Sequence, residues 1–197
     1  VRPDATLVSM GPTIISTPRL NLRSWTAEDI AGIDSPVSEP EVARIITHGE
    51  PVTAEDVQEF ITRYMRLQRE RGWCRWALEV KSEPGALAGF CGIGCTFAPE
   101  IELGWTLRRD LWGRGYATEA ARSALDHCFH TIGFERIISA IDPDNARSEA
   151  VARRLGMRID GTIEHEGHML NRFAITTPLE QPPRDPRFVR DCEGETP

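Results

Sequence analysis

The segment Trp112-Gly-Arg-Gly-Tyr-Ala-Thr118 places two glycines immediately before a helical pattern. The first N–H groups of a helix have no internal partner, and the helix dipole makes that end positive. Glycine at 113 and 115 removes side chains that would keep an anion away, and it permits positive φ angles. These residue types predict a backbone site for phosphate or diphosphate. A tight strand-to-helix turn without any ligand would use the same glycines.

Other phosphate-binding motifs fit this segment less well. The Gly-x-x-x-x-Gly-Lys pattern is absent, and a dinucleotide fingerprint would need a third glycine where Thr118 stands. Arg114 would add a positive charge at the rim of the loop, and Ala117 keeps the next position small. The loop alone therefore predicts an anion site without naming its ligand.

Further candidates for chemistry follow two apolar segments. Glu100 and Glu102 have the same parity around Ile101, so they are expected to project from one face of a strand. Asn145 and Ser148 stand where a helix begins after another strand. A carboxylate can take a proton from a substrate and a hydroxyl can donate one. A solvated carboxylate and a helix cap are the alternative interpretations.

Composition restricts the class of protein. The chain has 197 residues, 40% of them hydrophobic and 27% charged, as expected for one globular domain. No apolar segment is long enough to span a membrane, and the first residues lack a signal-peptide pattern, so a cytoplasmic location is expected. The formal net charge of −7 disfavours binding to nucleic acid and suits a cationic partner such as an amine.

Cysteines and histidines are too scattered to suggest a metal site. Five cysteines without a Cys-x-x-Cys pair predict reduced, mostly buried thiols rather than disulfides or a zinc cluster. Two histidine pairs, at 127/130 and 165/168, offer too few ligands, so no metal is expected. The cysteines are Cys74, Cys91, Cys95, Cys128 and Cys192.

The elements that must position these residues form a mixed pattern. Helix-start signals occur at Thr26 and Thr53, each followed three residues later by aspartate. Two further helices are expected over 117–133 and 145–156. Seven strands are expected around residues 19–25, 76–80, 86–95, 101–107, 136–141, 158–164 and 168–176. Hairpins combined with βαβ crossovers predict an α+β, or mixed α/β, domain.

Three motifs at their usual spacing resemble the GNAT superfamily of acetyl-CoA-dependent N-acetyltransferases. They are residues 112–120, Asp142-Pro-Asp-Asn-Ala-Arg-Ser148 and Arg154-Leu-Gly-Met157. Thr17-Pro-Arg-Leu-Asn-Leu-Arg23 is similar to the first strand of the RimJ/RimL-type branch, which contains ribosomal-protein-alanine N-acetyltransferases. The resemblance implies a mostly antiparallel sheet of about seven strands, splayed between the fourth and fifth, with about four helices. It implies one domain over 1–177, followed by a Pro-rich, loosely packed tail over 178–197.

The resemblance also implies a coenzyme site. In the family, backbone amides of the glycine loop bind the diphosphate of coenzyme A, the fourth strand binds the pantetheine arm, and an asparagine after the fifth strand contacts the coenzyme. Tryptophan at 112 departs from the family's usual Gln/Arg there. The implied residues are Trp105, Thr106, Leu107, Trp112, Gly113, Arg114, Gly115, Tyr116, Ala117, Thr118 and Asn145.

The implied reaction is acetyl transfer from acetyl-CoA to a primary amine, either a protein N-terminus or a small molecule. Glu102 is the first candidate for the base, and Glu100 or a chain of waters is the alternative. The tyrosine that protonates the thiolate in many relatives is missing here, so either Ser148 serves or no acid is needed. A non-catalytic acyl-CoA-binding domain is the rival hypothesis, and a homodimer is possible in this family.

A basic stretch lies near the second of these motifs. A solvated helix face, or a face that grips the nucleotide phosphates, is expected rather than a nucleic-acid groove. Its members are Arg147, Arg153, Arg154 and Arg158.

Overall fold

The computed structural model describes residues 11–31, 41–42 and 52–177, together with Phe188 and Cys192. Eight strands form one sheet in this part of the chain. They are β1 (Thr13–Ser16), β2 (Leu20–Arg23), β3 (Arg75–Val80), β4 (Leu87–Gly94), β5 (Glu102–Leu107), β6 (Arg136–Ile141), β7 (Arg158–His165) and β8 (His168–Thr176).

The strands lie in the order β1-β2-β3-β4-β5-β6-β8-β7. Every neighbouring pair is antiparallel except β5 and β6, which are parallel. This architecture confirms the predicted mixed, mostly antiparallel sheet. The additional strand is β1, which the sequence did not predict, because four partly exposed residues at the sheet edge give no clear alternation.

The α-helices whose bounds are described are α1 (Ala54–Arg71), α2 (Tyr116–His127) and α3 (Ala146–Leu155), and residues 41–42 are also helical. The start signal at Thr53 is confirmed, because its hydroxyl accepts from the Asp56 N–H while the Asp56 carboxylate accepts from the Thr53 N–H. Gly72 ends α1 at a φ of 82°. α2 continues as one π-helical turn over Cys128–Ile132.

The helix-start signal at Thr26 precedes a 3-10 turn rather than an α-helix. The Thr26 N–H does donate to Asp29, at 2.8 Å, but the segment forms a 3-10 turn over Ala27–Ala31. Arg23 of β2 holds the same carboxylate through two hydrogen bonds of 2.8 and 2.7 Å. Asp29 therefore anchors this turn to the sheet as well as to its own backbone. Residues 32–40 lie outside the described part.

The two longest helices cover opposite faces of the sheet. Phe90 of β4 contacts Phe60 of α1, with ring centroids 4.9 Å apart. The next residue, Cys91, points to the other face, where it lies near Cys128 at the end of α2. Both cysteines are fully buried, and burial raises the pKa of Cys91 to about 12. The site described below lies at the edge of this core.

The expectation of five reduced thiols was wrong for two of them. Cys95, which follows β4, forms a disulfide with Cys192. Cys74, Cys91 and Cys128 are free and buried, as predicted. Spacing along the chain could not reveal the pair, because 97 residues separate its members.

Two residues of the predicted tail pack on the domain. Cys192 is buried, and the half-buried Phe188 meets the His127 ring edge to face at 6.1 Å. At these positions the expectation of a loose extension was wrong. The other tail residues lie outside the described part, and the division at residue 177 stays a prediction.

Candidate active site

A gap opens between β5 and β6. The two strands share one register position, Glu102 opposite Ile138, and the Ile138 N–H donates to the Ile101 carbonyl at 2.9 Å. Beyond this point β5 pairs only with β4, as far as Leu107 opposite Gly89. This geometry confirms the splay implied between the family's fourth and fifth strands. We call the space beside Leu103–Leu107 the β5–β6 gap.

Backbone groups of alternate residues face this gap. The Leu103 carbonyl accepts from Ser139 Oγ of β6 at 2.7 Å, and the Leu107 carbonyl accepts from Trp112 Nε1 at 2.8 Å. Since hydrogen-bonding direction alternates along a strand, Trp105 also directs its N–H and C=O into the gap. Thr106, in contrast, directs its backbone groups towards β4. The implied backbone contacts therefore favour Trp105 over Thr106.

The glycine loop, residues 112–117, leads into α2 at the wide end of the gap. Gly113 and Gly115 have φ angles of 75° and 79°. A Cβ at Gly113 would meet nothing within 4 Å, and one at Gly115 only Arg19 Nη2 at 3.6 Å. Backbone conformation and open access, not crowding, explain these glycines. No side chain caps α2, so its first N–H groups remain available to a ligand.

The wide end of the gap, beside Trp105–Leu107, and the glycine loop belong to one cavity of about 980 Å³. Every residue implied for the coenzyme site lines it except Arg114, whose side chain is exposed. Ser148 also lines it, whereas Glu102 does not. The implied lining residues are Trp105, Thr106, Leu107, Trp112, Gly113, Gly115, Tyr116, Ala117, Thr118 and Asn145.

Arginines surround the cavity near Trp112. Arg109 and Arg147 lie over the Trp112 ring, 4.7 and 4.9 Å from its centroid. Arg122 and Arg154 line the same cavity. Four cations beside an uncapped helix start form a site suited to an anion carrying several phosphates. The sequence singled out Arg147 and Arg154, but Arg109 and Arg122 carried no signal beyond their charge.

The other two members of the basic stretch have different surroundings. Arg153 lies over the Phe173 ring, 5.4 Å from its centroid, and pairs with Glu149. Arg158 is exposed at the start of β7. The stretch is therefore divided between a cavity wall and the molecular surface.

Asn145 and Ser148 meet at the start of α3. Asn145 Oδ1 accepts from the Ser148 N–H at 3.1 Å, so Asn145 is the cap of this helix. Its role as a cap does not remove it from the cavity, which both side chains line. Since Asn145 satisfies the backbone here, the Ser148 hydroxyl is not required for capping.

Glu102 stands at the narrow end of the gap, where β5 and β6 still pair. Its carboxylate forms an ion pair with Arg75 of β3, and both side chains are largely buried. Burial alone would lower the pKa of Arg75, but the charges of Glu102 and Tyr64 and the hydrogen bond to Glu102 together outweigh burial and raise that pKa well above its usual value. Arg75 donates to Oε2 of the Glu102 carboxylate and not to its other oxygen, Oε1.

Arg75 crosses β4 on a path left open by glycines. A Cβ at Gly104 would lie 2.9 Å from Arg75 Cζ, and one at Gly94 would lie 3.5 Å from Arg75 Nε. Gly104 therefore has no room for a side chain while Arg75 reaches Glu102. Sequence reasoning missed Arg75. Glycines inside strands β4 and β5, which mark close approach, were the available signal.

A family comparison agrees with this geometry. The model of the acetyltransferase (GNAT) domain matches residues 19–158. The chain belongs to the GNAT acetyltransferase family. It is therefore an N-acetyltransferase of the class that uses acetyl-CoA, and its resemblance to this family is confirmed.

Several relatives come from bacteria. An uncharacterized protein, YkkB, of Bacillus subtilis (strain 168) is 34% identical over 113 residues, covering 54% of this chain and 63% of its own length. An uncharacterized N-acetyltransferase, p20, of Bacillus licheniformis is 27% identical over 149 residues, or 75% of this chain and 83% of its own. A spermidine N(1)-acetyltransferase of Escherichia coli (strain K12) is 24% identical over 111 residues, 56% of this chain and 58% of its own.

Solved GNAT structures share the fold. An acetyltransferase from Agrobacterium tumefaciens str. C58 superposes with a TM-score of 0.73 at 27% identity, covering 88% of this chain and 99% of its own. RimL, a ribosomal L7/L12 α-N-protein acetyltransferase solved with coenzyme A, has a TM-score of 0.68 at 18% identity. It covers 84% of this chain and 98% of its own. At that identity, RimL supports the fold alone.

Glu100 does not lie beside Glu102 in this GNAT domain. Its carboxylate contacts Arg136 of β6 and Arg172 of β8, at 3.3 and 3.2 Å, whereas Glu102 contacts β3 on the other side. The expectation of one shared face was wrong because β5 begins at Glu102. Strand alternation does not apply to the turn residue Glu100.

The two helical histidines have different surroundings, whereas His165 and His168 lie opposite each other in the β7–β8 hairpin. His127 lies between Trp76 and Phe188, and burial lowers its pKa, while His130 Nδ1 contacts the Asp126 carbonyl. Within the described ranges, no three histidine, cysteine or acidic side chains cluster as metal ligands would. The absence of a metal stays a prediction. No helix in the described ranges is long and apolar enough to cross a membrane.

Proposed function

We propose that this GNAT protein transfers acetyl from acetyl-CoA to a primary amine by direct attack, with donor and acceptor bound together. The observation that carries the proposal is the continuity of the wide end of the β5–β6 gap with the uncapped start of α2 in one cavity. Among the described residues that line this cavity there is no cysteine, the most nucleophilic of the side chains that carry acyl groups. The lining therefore gives no support to an acyl-cysteine intermediate, and direct attack is the simpler route.

The donor side is assigned from the shape and charge of the cavity. The narrow gap takes the extended thioester arm along Trp105 and Leu107. The N–H groups that begin α2 take the diphosphate, with Arg109 and Arg147 beside it. Asn145 faces the same cavity from α3. Trp112 replaces the family's side-chain contact with an indole that donates to β5 and leaves the backbone amides free.

Glu102 is proposed as the base. A protonated amine has no lone pair for attack, so a nearby carboxylate or a water held by it must take the proton. Arg75 binds Oε2 and so orients the carboxylate, while Oε1 remains to receive that proton. Glu100 is a weaker candidate because two arginines of β6 and β8 hold its carboxylate.

Ser148 is proposed to donate a hydrogen bond to the departing sulfur. It lies in the first turn of α3, beside the wall of the cavity, and its hydroxyl is not the helix cap. Departure without a protein acid is the alternative, because thiols ionise near pH ~8.5.

The proposed acceptor is a primary amine, either a protein N-terminus or a small polyamine. The relative named for spermidine provides a precedent for the polyamine class, and the resemblance of residues 17–23 to the RimJ/RimL-type branch suggests the N-terminal class. The net charge of −7 favours a cationic acceptor over nucleic acid. The proposal also includes a RimJ/RimL-like role, a cytoplasmic location, a possible homodimer and the absence of a membrane partner.

The test measures free thiol released from acetyl-CoA by the purified protein. The acceptor panel contains peptides with varied N-terminal residues alongside spermidine and other amines. We expect release to depend on one acceptor class, with the acetylated product identified by mass spectrometry. Varying both substrates should give intersecting reciprocal plots, because both bind before reaction.

Two outcomes would contradict the proposal. Parallel plots with an acetylated protein would replace direct attack by a covalent intermediate. Tight acetyl-CoA binding without thiol release for any acceptor would favour the non-catalytic acyl-CoA-binding hypothesis.

A further inference from the structure

Arg19 joins the start of β2 to the glycine loop. Its Nη1 donates to the Arg114 carbonyl at 3.0 Å, and its guanidinium carbon lies 4.5 Å from the centroid of the Tyr116 ring. Its Nε donates to the Glu119 carboxylate of α2 at 2.6 Å. Arg19 thus contacts three groups in the glycine loop and the first turn of α2: the Arg114 carbonyl, the Tyr116 ring and the Glu119 carboxylate. Glu119 lies 100 residues further along the chain than Arg19. Arg19 itself is not among the residues that line the cavity.

The contact with Arg114 fixes the direction of one peptide plane. In a trans peptide the C=O and the following N–H point in opposite directions. Because the Arg114 carbonyl points to Arg19, the N–H of Gly115 points away from Arg19. Gly115 lines the cavity, so the opposite orientation of this peptide would present a carbonyl oxygen where an anion is expected.

Glycine makes that opposite orientation accessible. Rotation of the 114–115 peptide changes ψ of Arg114 and φ of Gly115, and glycine accepts φ of either sign. The residue that allows the observed φ of 79° therefore also permits the unproductive arrangement. A contact outside the loop is needed to favour one orientation over the other, and Arg19 provides it.

Arg19 is itself held from both sides. Its backbone N–H and the Thr17 hydroxyl both donate to Glu119 Oε1, at 3.1 and 2.7 Å. Its carbonyl accepts from the Lys81 N–H at 2.9 Å. Burial would raise the pKa of Glu119, but the hydrogen bonds from Thr17 and Arg19 outweigh it and lower that pKa. The ion pair is therefore present at neutral pH.

We propose that Arg19 is a positioning residue that holds the Arg114–Gly115 peptide with its N–H directed at the diphosphate of the donor. The proposal rests on the coenzyme site proposed above. It assigns Thr17 and Glu119 the task of holding Arg19.

Calorimetry with coenzyme A and with 3′-dephospho-coenzyme A tests this role. Arg19→Met keeps an apolar stem over Tyr116 and removes every side-chain hydrogen-bond donor. We expect affinity for both ligands to fall by the same factor, about ten- to a hundredfold, because both carry the diphosphate. The amide resonance of Gly115 should shift on coenzyme binding in the wild type and not in the variant. Arg69→Ala, at an exposed position of α1, is the matched control and should bind like the wild type.

Arg19→Lys separates geometry from charge. Lysine keeps the positive charge but has no planar fork to reach Glu119 and the Arg114 carbonyl together. We expect Arg19→Lys to remain weakened at least fivefold, and KM for acetyl-CoA to rise while kcat changes less than twofold.

Three results would overturn the inference: wild-type affinity in Arg19→Met, full restoration by lysine, or loss confined to coenzyme A with its 3′-phosphate. If Arg19→Met does not fold, Thr17→Val takes its place and must show a smaller loss of affinity that is equal for the two ligands. Wild-type affinity in Thr17→Val would then overturn the inference. Failure of the wild type to bind coenzyme A would instead refute the underlying site.

Discussion

The guanidinium of Arg75 reaches Glu102 across the backbone of β4, at the point where β5 and β6 begin to separate. The path exists because Gly104 and Gly94 carry no side chains. A buried cation thus faces the carboxylate proposed as the base, and the glycines are as necessary to that arrangement as the charges.

Gly104→Ala should break this arrangement. The new Cβ would lie 2.9 Å from Arg75 Cζ, so the arginine must shift. We expect a loss of about 1–3 kcal/mol in the free energy of unfolding and lower turnover. Gly94→Ala is the control, since its Cβ would meet Arg75 at an ordinary 3.5 Å. Denaturant unfolding and acetyl transfer measure both variants, and equal behaviour of the pair would contradict the steric argument.

Glu102→Gln should lower turnover and leave acetyl-CoA affinity nearly unchanged, because the carboxylate acts on the acceptor. The loss should shrink as pH rises towards the pKa of the acceptor amine, where the free amine becomes abundant. Turnover measured from pH 6 to about pH 10 tests this dependence. Glu100→Gln is the comparison and should retain activity. A loss that does not change with pH would transfer the role to Glu100 or to water.

Gly115→Asp should abolish acetyl-CoA binding measured by calorimetry. The substitution places a side chain and a negative charge against the proposed diphosphate position, at a φ of 79°. Gly85→Asp is a close control, because Gly85 has a φ of 83° and its Cβ would meet nothing within 4 Å. Both substitutions place aspartate at nearly the same positive φ. Unchanged affinity in folded Gly115→Asp would refute the coenzyme site.

Asn145→Ala should lower the stability of the protein, whereas Ser148→Ala should lower its turnover. Asn145 caps α3, so its loss should lower the free energy of unfolding by about 1 kcal/mol. Ser148 is not the cap, so its loss should leave the melting temperature unchanged and reduce turnover about ten- to a thousandfold. Full activity in Ser148→Ala would mean that thiolate release needs no protein acid.

Cys192→Ser should lower thermal stability under non-reducing conditions. The disulfide closes a loop of 97 residues, and such links contribute about 2–4 kcal/mol. With a reductant present, the wild type and the variant should melt together. A difference that persists after reduction would assign the effect to packing around residue 192 rather than to the bond.

Local signals predicted the elements well. Thr53 with Asp56 and the glycines at 72, 133 and 156 mark helix ends in the structure as they do in the sequence. The glycine loop also occupies the expected place at the start of α2. These features depend on a few neighbouring residues, so the chain carries them locally.

Relationships across the sheet could not be predicted. The pair Arg75 and Glu102 is set by strand order and register, whereas Arg19 with Glu119 and Cys95 with Cys192 are set by the packing of a helix and of the C-terminal segment on the sheet. Their separations along the chain range from 27 to 100 residues. Glu100 illustrates a local error, because strand alternation does not extend to a residue two positions before β5 begins.

In the described sheet, β5 and β6 are the one parallel pair of neighbouring strands. They divide the sheet into two antiparallel units, one made of β1 to β5 and the other of β6, β8 and β7. Each unit is paired throughout, but together they share one register position. An extended molecule lying along β5 would occupy the place of a missing strand and bind the backbone groups left open there. In geometric terms, a donor bound as proposed would act as a removable strand that completes the sheet.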